Sequence, residues 1–248
     1  CGTGGDGKNT FNISTTSALV IAAMGHKVIK HGNYGVSSIS GSSNVLEEVG
    51  FTFSPNESDL ARDLASKNIC FIHAPLFHPT LKKAASTRKN LGVRTIFNCL
   101  GPLVNPAQPA FQLTGTYSIE LAKSYQHILK PIRDNYRVVY GMDGYDEITL
   151  TDATRVLGKY TDELIDGKNF RVPKIQQNEL FGGTTVKDAA KILMNILQGK
   201  GSDAQNNAVS ANVAMGLSMF HPNETIDNLF TESVAFIQSG QAYKHHFN

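Results

Sequence analysis

The 248-residue sequence lacks features that mark several broad classes of protein. Its longest uninterrupted apolar run, residues 18–24, is far shorter than the roughly 20 residues that cross a bilayer. Its formal net charge of +2 is too small to make nucleic acid the expected main partner. Cysteine is scarce, since only Cys1, Cys70 and Cys99 are present, and none forms a CxxC pair. This usage is typical of reduced thiols in a cytoplasmic protein rather than of a disulfide framework or a zinc site.

The composition is that of a folded globular protein. Apolar residues make up 41% of the chain and charged residues 18%, which excludes disorder for most of its length. The chain has no initiator methionine and begins directly in a glycine-rich turn. We therefore expect it to be the C-terminal part of a longer protein, or the ordered part of one.

The apolar pattern predicts alternating helices and strands. Helices are expected at residues 14–23, 44–49, 58–66, 79–90, 119–129, 186–197, 204–220 and 226–242. Strands are expected at residues 27–30, 69–74, 112–117, 137–140, 148–151, 155–160 and 163–166. The last three strands should be antiparallel because their connections are so short. This order predicts an α/β fold with a mixed central sheet and helices on both faces.

The first candidate binding segment is glycine-rich and reads GTGGDG at residues 2–7. Glycines let backbone N–H groups approach an anion closely, and the N-terminus of the following helix adds the positive end of its dipole. Ser14 and Thr15 could donate hydroxyl hydrogen bonds to the same phosphate. The spacing matches neither a Walker A loop nor GxGxxG, and taken alone it also suits a tight turn before a capped helix.

The second candidate segment reads KHGN at residues 30–33 and continues into a stretch rich in serine up to residue 43. A lysine beside a glycine and several hydroxyls suits a phosphate, although serine-rich loops are more often simply solvated. The third segment reads DGYDE at residues 143–147 and could hold one or two hard cations through carboxylate oxygens. An isolated acidic pair is usually a solvated surface, so the coincidence of three segments carries the hypothesis of a metal and phosphate site.

The fourth segment begins at His78 and includes Arg88 and the motif LGPL at residues 100–103. An arginine can hold a carboxylate through two parallel hydrogen bonds. Considered locally, Arg88 also fits an exposed helix charge, and His78 fits a capping or core histidine.

Taken in order, the motifs GTGGDGxxTFNIST, KHGN, SxSGSxxVLExxG, HP with Arg88 downstream, RTIFNxLGPLxNP and DGYDE resemble the anthranilate phosphoribosyltransferases of tryptophan biosynthesis. The resemblance runs from the first residue to at least Thr151. It implies a glycosyltransferase in which the amino group of anthranilate displaces pyrophosphate from C1 of 5-phosphoribosyl 1-pyrophosphate (PRPP), giving N-(5-phosphoribosyl)anthranilate. It implies Mg²⁺, expected as two ions bound with PRPP, and no side chain acting as nucleophile or base.

The resemblance also assigns roles to individual positions. Contacts with PRPP are expected at Gly2, Gly5, Asp6, Thr10, Asn12, Ile13, Ser14, Thr15, Lys30, His31, Gly32, Asn33, Ser38 and Ser42. Contacts with anthranilate are expected at Gly2, Asn33, His78, Arg88 and Pro102. Metal ligands are expected at Ser14, Asp146 and Glu147.

The resemblance further implies how the chain is organised. Residues 1–248 should form the α/β domain of a phosphoribosyltransferase-like fold, with a smaller helical N-terminal domain largely missing. A homodimer is expected through that missing region, with small-molecule substrates and neither nucleic acid nor a membrane as partner. Tyr34 stands where the family often has arginine, which removes one positive charge near the ribose or phosphate.

Two alternatives remain open at this stage. A pyrimidine nucleoside phosphorylase shares the implied fold and a glycine-rich phosphate loop, but it has no need of the acidic pair. A non-enzymatic relative that binds single-stranded nucleic acid should have a basic groove and should have lost Asp146 and Glu147.

Overall fold

The computed structural model describes residues 1–35, 40–78 and 99–248, which contain alternating helices and strands. The helices are α1 (Ile13–Ala23), α2 (Ser42–Glu48), α3 (Glu57–Lys67), α4 (Ala74–Phe77), α5 (Ile119–Leu129), α6 (Val186–Leu197), α7 (Asp203–Leu217), α8 (Ile226–Gln238) and α9 (Gln241–Phe247). The strands are β1 (Val28–Gly32), β2 (Ile69–His73), β3 (Phe111–Gly115), β4 (Asn135–Gly141), β5 (Thr154–Leu157) and β6 (Asp162–Ile165). Short 3₁₀ helices lie at Gly101–Leu103, Gly167–Phe170 and Gln177–Leu180.

These strands form two sheets. Strands β1 and β2 pair in parallel, and β3, β4, β5 and β6 form a four-stranded sheet in that order. Within it β3 and β4 are parallel, whereas β4, β5 and β6 are antiparallel. The predicted mixed sheet is therefore confirmed, and so are the antiparallel pairings predicted from the short connections.

Helices cover both faces of the four-stranded sheet. Val138 and Val139 are adjacent in β4 and point to opposite faces, as neighbouring strand residues must. Val138 packs with Tyr125 and Leu129 of α5, whereas Val139 belongs to the larger cluster that includes α1, α6, α7 and α8. The predicted arrangement of helices on both faces is confirmed.

The segment predicted as a strand at residues 148–151 is not one. Leu150 has a φ of +61°, a left-handed conformation that interrupts an extended strand. The backbone N–H and C=O of Ile148 pair with the side chain of Asn212, so no neighbouring strand is needed to satisfy them. The apolar residues that suggested a strand are buried in the core instead.

The last predicted helix is two helices. Gly240 has a φ of +66° and separates α8 from α9, because a left-handed residue ends a helix. The helix predicted from Pro79 to Asn90 lies outside the described residues.

Two observations bear on the classes considered from the sequence. Cys1, Cys70 and Cys99 are free thiols. Among the helices of residues 1–35, 40–78 and 99–248, none has both the length and the apolar character of a membrane span.

Acid should loosen the docking of α9, because His246 is held there in its neutral form. Its Nε2 contacts the carbonyl oxygen of Leu19 at 2.8 Å, and its Nδ1 is buried without a partner. Burial lowers the pKa of His246 to about 4, aided by the nearby charges of His245 and Lys67, while the bond to Leu19 opposes the shift. Since the folded pKa lies below the unfolded one, this contribution is complete above about pH 6.5 and is lost as pH falls toward 4.

We expect the free energy of unfolding to fall by roughly 2 kcal/mol from this group between pH 7 and pH 4, after allowing for solvent screening. Urea unfolding at several pH values would measure it, with His246→Gln as the comparison because the amide keeps a donor but does not titrate. Parallel pH profiles for the two proteins would contradict the assignment.

Candidate active site

The glycine-rich segment is fixed against the carboxyl end of β3. Thr3 donates its N–H to the carbonyl oxygen of Gly115 at 3.0 Å, and Gly4 donates its N–H to Oδ2 of Asp146 at 2.6 Å. Gly4 and Gly5 have φ values of +68° and +78°, a conformation that residues with a Cβ rarely adopt. The loop therefore presents backbone N–H groups directly beside a carboxylate.

Helix α1 begins where this loop ends. Its N-cap residue, Asn12, makes no side-chain capping bond, whereas the later helices α5, α6, α7 and α8 are capped by serine or threonine. Ser14 lies in the first turn, and Nζ of Lys30 lies 3.3 Å from its Oγ. The first turn thus combines a helix N-terminus, a hydroxyl and a buried ammonium, which is a favourable setting for a phosphate.

Two carboxylates lie opposite this helix end. Asp146 is only 8% exposed, and burial together with the nearby Asp6 raises its pKa to about 6. Burial and the adjacent Asp146 raise the pKa of Glu147 to about 8, although Lys30 and the Ser14 hydroxyl favour its charged form. Burial also lowers the pKa of Lys30 to about 8. Clustered buried carboxylates of this kind are costly as anions unless a cation neutralises them.

These residues fit a magnesium ion. Oε2 of Glu147 is buried and has no hydrogen-bond partner among the residues that the structure describes, so one carboxylate oxygen is available to a ligand. Within the described ranges no group of three or more His, Cys, Asp or Glu side chains forms a closed metal cage. That donor set matches Mg²⁺, which is usually held by one or two carboxylates with substrate phosphates and water completing its shell.

The second candidate loop lies at the end of β1. Ser42 at the start of α2 approaches Gly32 so closely that a Cβ on Gly32 would lie 2.6 Å from its Oγ. Ser43 donates its N–H to the carbonyl oxygen of Asn33 at 3.2 Å. The end of β1 and the start of α2 are therefore packed closely, and a Cβ on residue 32 would require the Ser42 hydroxyl to rotate away. The same segment is tied to the first loop by the bond from Asn12 Nδ2 to Ser40 O at 3.3 Å.

The predicted anthranilate residues begin beside this loop. His31 contacts the carbonyl oxygen of Gly101 through Nδ1 at 3.0 Å, and its ring meets that of His78 edge to face at 5.2 Å. The Nε2 atoms of both histidines are buried and have no hydrogen-bond partner within residues 1–35, 40–78 and 99–248. Burial lowers the pKa of His31, with the Gly101 bond opposing. Pro102 is buried, and its carbonyl oxygen accepts a bond from Gln112 at 2.9 Å.

A cavity of about 430 Å³ lies between β1 and β3 and brings together part of the predicted site. Among its lining residues are seven that the sequence predicts for the site, namely Gly2, Ser14, Lys30, His31, Pro102, Asp146 and Glu147. Its remaining wall is largely apolar and includes Ile21, Ile29, Phe111, Met219 and Phe220. The polar groups are thus brought together on a mainly hydrophobic cavity, which is the usual form of a small-molecule site.

The other predicted residues lie around this cavity or elsewhere. Gly5, Asp6, Thr10, Asn12, Ile13, Thr15, Gly32, Asn33, Ser42 and His78 do not line it. Thr10 pairs with Phe181 in an isolated antiparallel bridge. The side chain of Ile13 belongs to the hydrophobic core, and Thr15 is only 1% exposed. Ser14 lines the cavity, whereas Thr15 does not, and the hydroxyl donation from both stays a prediction. Ser38 and Arg88 lie outside the described residues.

Sequence reasoning missed two residues that position the carboxylates. Gly115 ends β3, and a Cβ there would overlap the carbonyl oxygen of Asp146. Asn212 is buried in α7 and bonds both the N–H of Ile148, at 3.2 Å, and its carbonyl oxygen, at 2.7 Å. A polar residue within the apolar run of α7 is the signal that could have identified Asn212.

Tyr34, the departure from the expected arginine, joins a small network beside the second loop. Its hydroxyl donates to Oε1 of Glu47 at 2.8 Å, and its ring meets that of His73 edge to face at 4.6 Å. His73 in turn lies 2.9 Å from Oγ of Ser43 through Nδ1. The substitution therefore replaces a charge by a set of contacts that ties the loop to β2 and α2.

Comparison with known proteins agrees with this fold, which is that of a glycosyltransferase α/β domain. The family described as "Glycosyl transferase family, a/b domain" matches residues 1–243. Anthranilate phosphoribosyltransferase from Christiangramia forsetii is 48% identical over 98% of this chain and 73% of its own length, and that from Cytophaga hutchinsonii is 45% identical over 98% and 74%. The chain belongs to the anthranilate phosphoribosyltransferase family.

Solved structures of anthranilate phosphoribosyltransferases share the fold of this chain. The enzyme from Saccharomyces cerevisiae in complex with PRPP and Mg superposes with a TM-score of 0.88 at 28% identity, over 98% of this chain and 70% of that one. The enzyme from Thermus thermophilus superposes with a TM-score of 0.86 at 30% identity, over 98% and 74%. The α/β fold class predicted from the sequence is confirmed.

Proposed function

We propose that this chain transfers the 5-phosphoribosyl group from PRPP to the amino group of anthranilate at the polar side of the cavity between β1 and β3. The reaction releases pyrophosphate and is the second step of tryptophan biosynthesis from chorismate. The observation that carries the proposal is the convergence of Ser14, Lys30, Asp146 and Glu147 beneath the glycine-rich loop.

The residues of the chain act mainly by binding and orienting. The first turn of α1, with the Ser14 hydroxyl, offers donors and a positive dipole end to the phosphates of PRPP. The buried ammonium of Lys30 adds a positive charge in a setting of low dielectric, where it is worth more than in water. Because the transition state is oxocarbenium-like, positioning the amine and stabilising the departing pyrophosphate are sufficient, and no nucleophilic or basic side chain is assigned.

Asp146 and Glu147 would hold Mg²⁺, with the Ser14 hydroxyl as a third oxygen donor. The metal, when bound, neutralises phosphate charge that a chain with a net charge of +2 cannot offset. We propose two ions, since PRPP offers both a pyrophosphate and a ribose face to the loop. A homodimer and a cytoplasmic location are also proposed on the family resemblance, and the free cysteines are compatible with the latter.

Anthranilate is proposed to bind beside the second loop, between Asn33, His78 and Pro102, with Arg88 on its carboxylate and Gly2 nearby. His31 and His78 support this placement, because Nδ1 of His31 contacts the carbonyl oxygen of Gly101, the residue before Pro102, and the two rings lie against each other. Within the described residues, neither Nε2 atom has a hydrogen-bond partner that would compete with a ligand. Ser38 and Ser42 are proposed to contact PRPP, together with Lys30 and Gly32.

The test is a coupled assay with PRPP, Mg²⁺ and anthranilate that follows pyrophosphate release and the loss of anthranilate fluorescence together. The chain has no tryptophan, so the fluorescence of anthranilate can be followed with little background from the protein. Matched loss of both substrates, stopped by EDTA, is expected. Pyrophosphate release without loss of anthranilate would point to a different nucleophile. Phosphorolysis of a pyrimidine nucleoside, with no turnover of PRPP, would support the phosphorylase alternative instead.

Replacing Arg88 with Ala should raise the KM for anthranilate and leave the KM for PRPP nearly unchanged. A hydrogen bond to a charged group is worth about 1.5–3 kcal/mol, which corresponds to roughly a 10–100-fold rise. Steady-state kinetics with each substrate varied in turn would measure the two constants, and the KM for PRPP serves as the internal control. Equal increases in both constants would remove the proposed carboxylate contact.

A further inference from the structure

Two histidines outside the candidate active site face each other across the ends of two helices. His26 follows α1, and His221 follows α7. Their Nε2 atoms are 3.4 Å apart, and their rings meet edge to face with centroids 5.3 Å apart. This separation is longer than that of a good hydrogen bond, so direct pairing satisfies the two nitrogens poorly.

The same separation suits a shared metal ion. Two Zn–N bonds of about 2.0–2.1 Å at a tetrahedral angle place the nitrogens roughly 3.3–3.4 Å apart. Imidazole nitrogen is a preferred ligand of late first-row ions such as Zn²⁺. We propose that His26 and His221 form a two-histidine site for a divalent transition-metal ion, with Zn²⁺ as the best match and water completing its shell.

The backbone holds both ligands in place without the metal. His26 donates its N–H to the carbonyl oxygen of Ile21 at 3.3 Å, and His221 donates its N–H to that of Leu217 at 2.9 Å. The ring of His26 packs on Phe220 at 4.5 Å, and Phe220 packs on Phe111 at 4.6 Å. Little side-chain freedom of His26 therefore remains to be lost on binding.

The surroundings favour a cation. The C-termini of α1 and α7 both lie next to the pair, and helix C-termini carry the negative end of the dipole. The carboxylate of Glu232 in α8 acts in the same direction, since it raises the pKa of His26. Burial and His221 lower that pKa more strongly, which shifts His26 toward the neutral form that binds metal.

His245 and His246, which are adjacent in α9, form a histidine pair that differs from His26 and His221. Nε2 of His245 contacts the carbonyl oxygen of Lys67 at 3.0 Å, and Nε2 of His246 contacts that of Leu19 at 2.8 Å. Their rings are close, with centroids 4.7 Å apart, but both nitrogens are already engaged. His245 and His246 are close together but are not proposed as a metal site, because their Nε2 atoms already have carbonyl partners. His26 and His221 are proposed because their Nε2 atoms converge without a good hydrogen bond.

Calorimetric titration of the chain with Zn²⁺, in the presence of saturating Mg²⁺ to occupy the carboxylates, tests the proposal. The chain should bind one equivalent of Zn²⁺ that is lost in His221→Ala and in His26→Asn. Removing a residue that only hydrogen-bonds to a metal ligand lowers metal affinity roughly 10–100-fold. Removing one of two ligands should therefore lower the Zn²⁺ affinity by at least about 10–100-fold. His127→Ala removes an exposed histidine of α5 and should bind Zn²⁺ as the parent does.

Thermal unfolding provides a second readout. Zn²⁺ should raise the Tm of the parent and of His127→Ala, because the ion ties the end of α1 to the end of α7 and binds only the folded chain. His221→Ala should show no such rise, and the exposure of this side chain makes it a safe substitution. Unchanged Zn²⁺ affinity and Tm shift in His221→Ala would overturn the proposal, as would Zn²⁺ binding by the parent no tighter than by His221→Ala.

Discussion

Replacing Asp146 with Asn together with Glu147 with Gln should abolish the response of the transfer rate to added Mg²⁺. The amides keep the size of the carboxylates but remove two buried negative charges opposite Ser14 and Lys30. Removing a single group that stabilises transition-state charge typically costs 10²–10³-fold in rate, so we expect a loss of at least roughly 10³-fold from the pair. Initial rates measured across a range of Mg²⁺ concentrations would show it.

Stability separates loss of metal binding from loss of folding in this variant. Because burial raises the pKa of both carboxylates, their charges disfavour the folded chain when no metal is present. Without Mg²⁺ the double variant should therefore unfold at a Tm no lower than that of the parent. Asp152→Asn removes a carboxylate of a surface ion pair with Lys174 and should retain the Mg²⁺ response. A double variant with a rate near that of the parent and still dependent on Mg²⁺ would show that the metal binds elsewhere.

Replacing Gly115 with Ala should damage both the fold and the site. The added methyl group would overlap the carbonyl oxygen of Asp146, a backbone atom that cannot rotate away. Overpacking of this kind costs about 1–3 kcal/mol of unfolding free energy, and we expect the upper part of that range. Displacing a binding group by about 1 Å can cost about 10²-fold in rate, so the enzyme should also become nearly inactive.

Urea unfolding and steady-state rates, with their dependence on Mg²⁺, measure the two effects. Gly101→Ala is the matched stability control, because a Cβ there meets no atom of the described part of the chain within 4 Å. A Gly115→Ala protein with the stability and Mg²⁺ dependence of the parent would contradict the close approach of β3 to the carboxylates.

The sequence was most informative where a local pattern and a local structure coincide. The apolar pattern predicted α5 and α6 at their observed bounds, because each of these helices buries one face at regular intervals. The alanine-rich apolar run predicted α1 to within one residue. The glycine-rich loop and the acidic pair were recognised as motifs, and the fold brings Gly4 and Asp146 within hydrogen-bond distance. At these positions the motifs visible in the sequence are also close together in the folded chain.

Prediction failed where a distant residue decides the local structure. The segment at residues 148–151 has the composition of a strand, yet Ile148 pairs with an asparagine 64 positions later. Gly115 gave no local sign of its role, because the atom it must avoid belongs to Asp146 in another loop. Gly240 ended a helix that apolar spacing alone would continue to residue 242.

The two bonds between Asn212 and Ile148 have a consequence for how substitutions in the helical layer should be interpreted. Asn212 bonds the backbone N–H and C=O of Ile148, the residue that follows Glu147. The position of the Glu147 carboxylate therefore depends on how α7 packs. A change in the packing of α7 against α1 or α8, far from any substrate, would therefore be transmitted as a change in metal affinity. Substitutions among the small residues of α7 should then alter the proposed Mg²⁺ requirement without changing any of the proposed ligands.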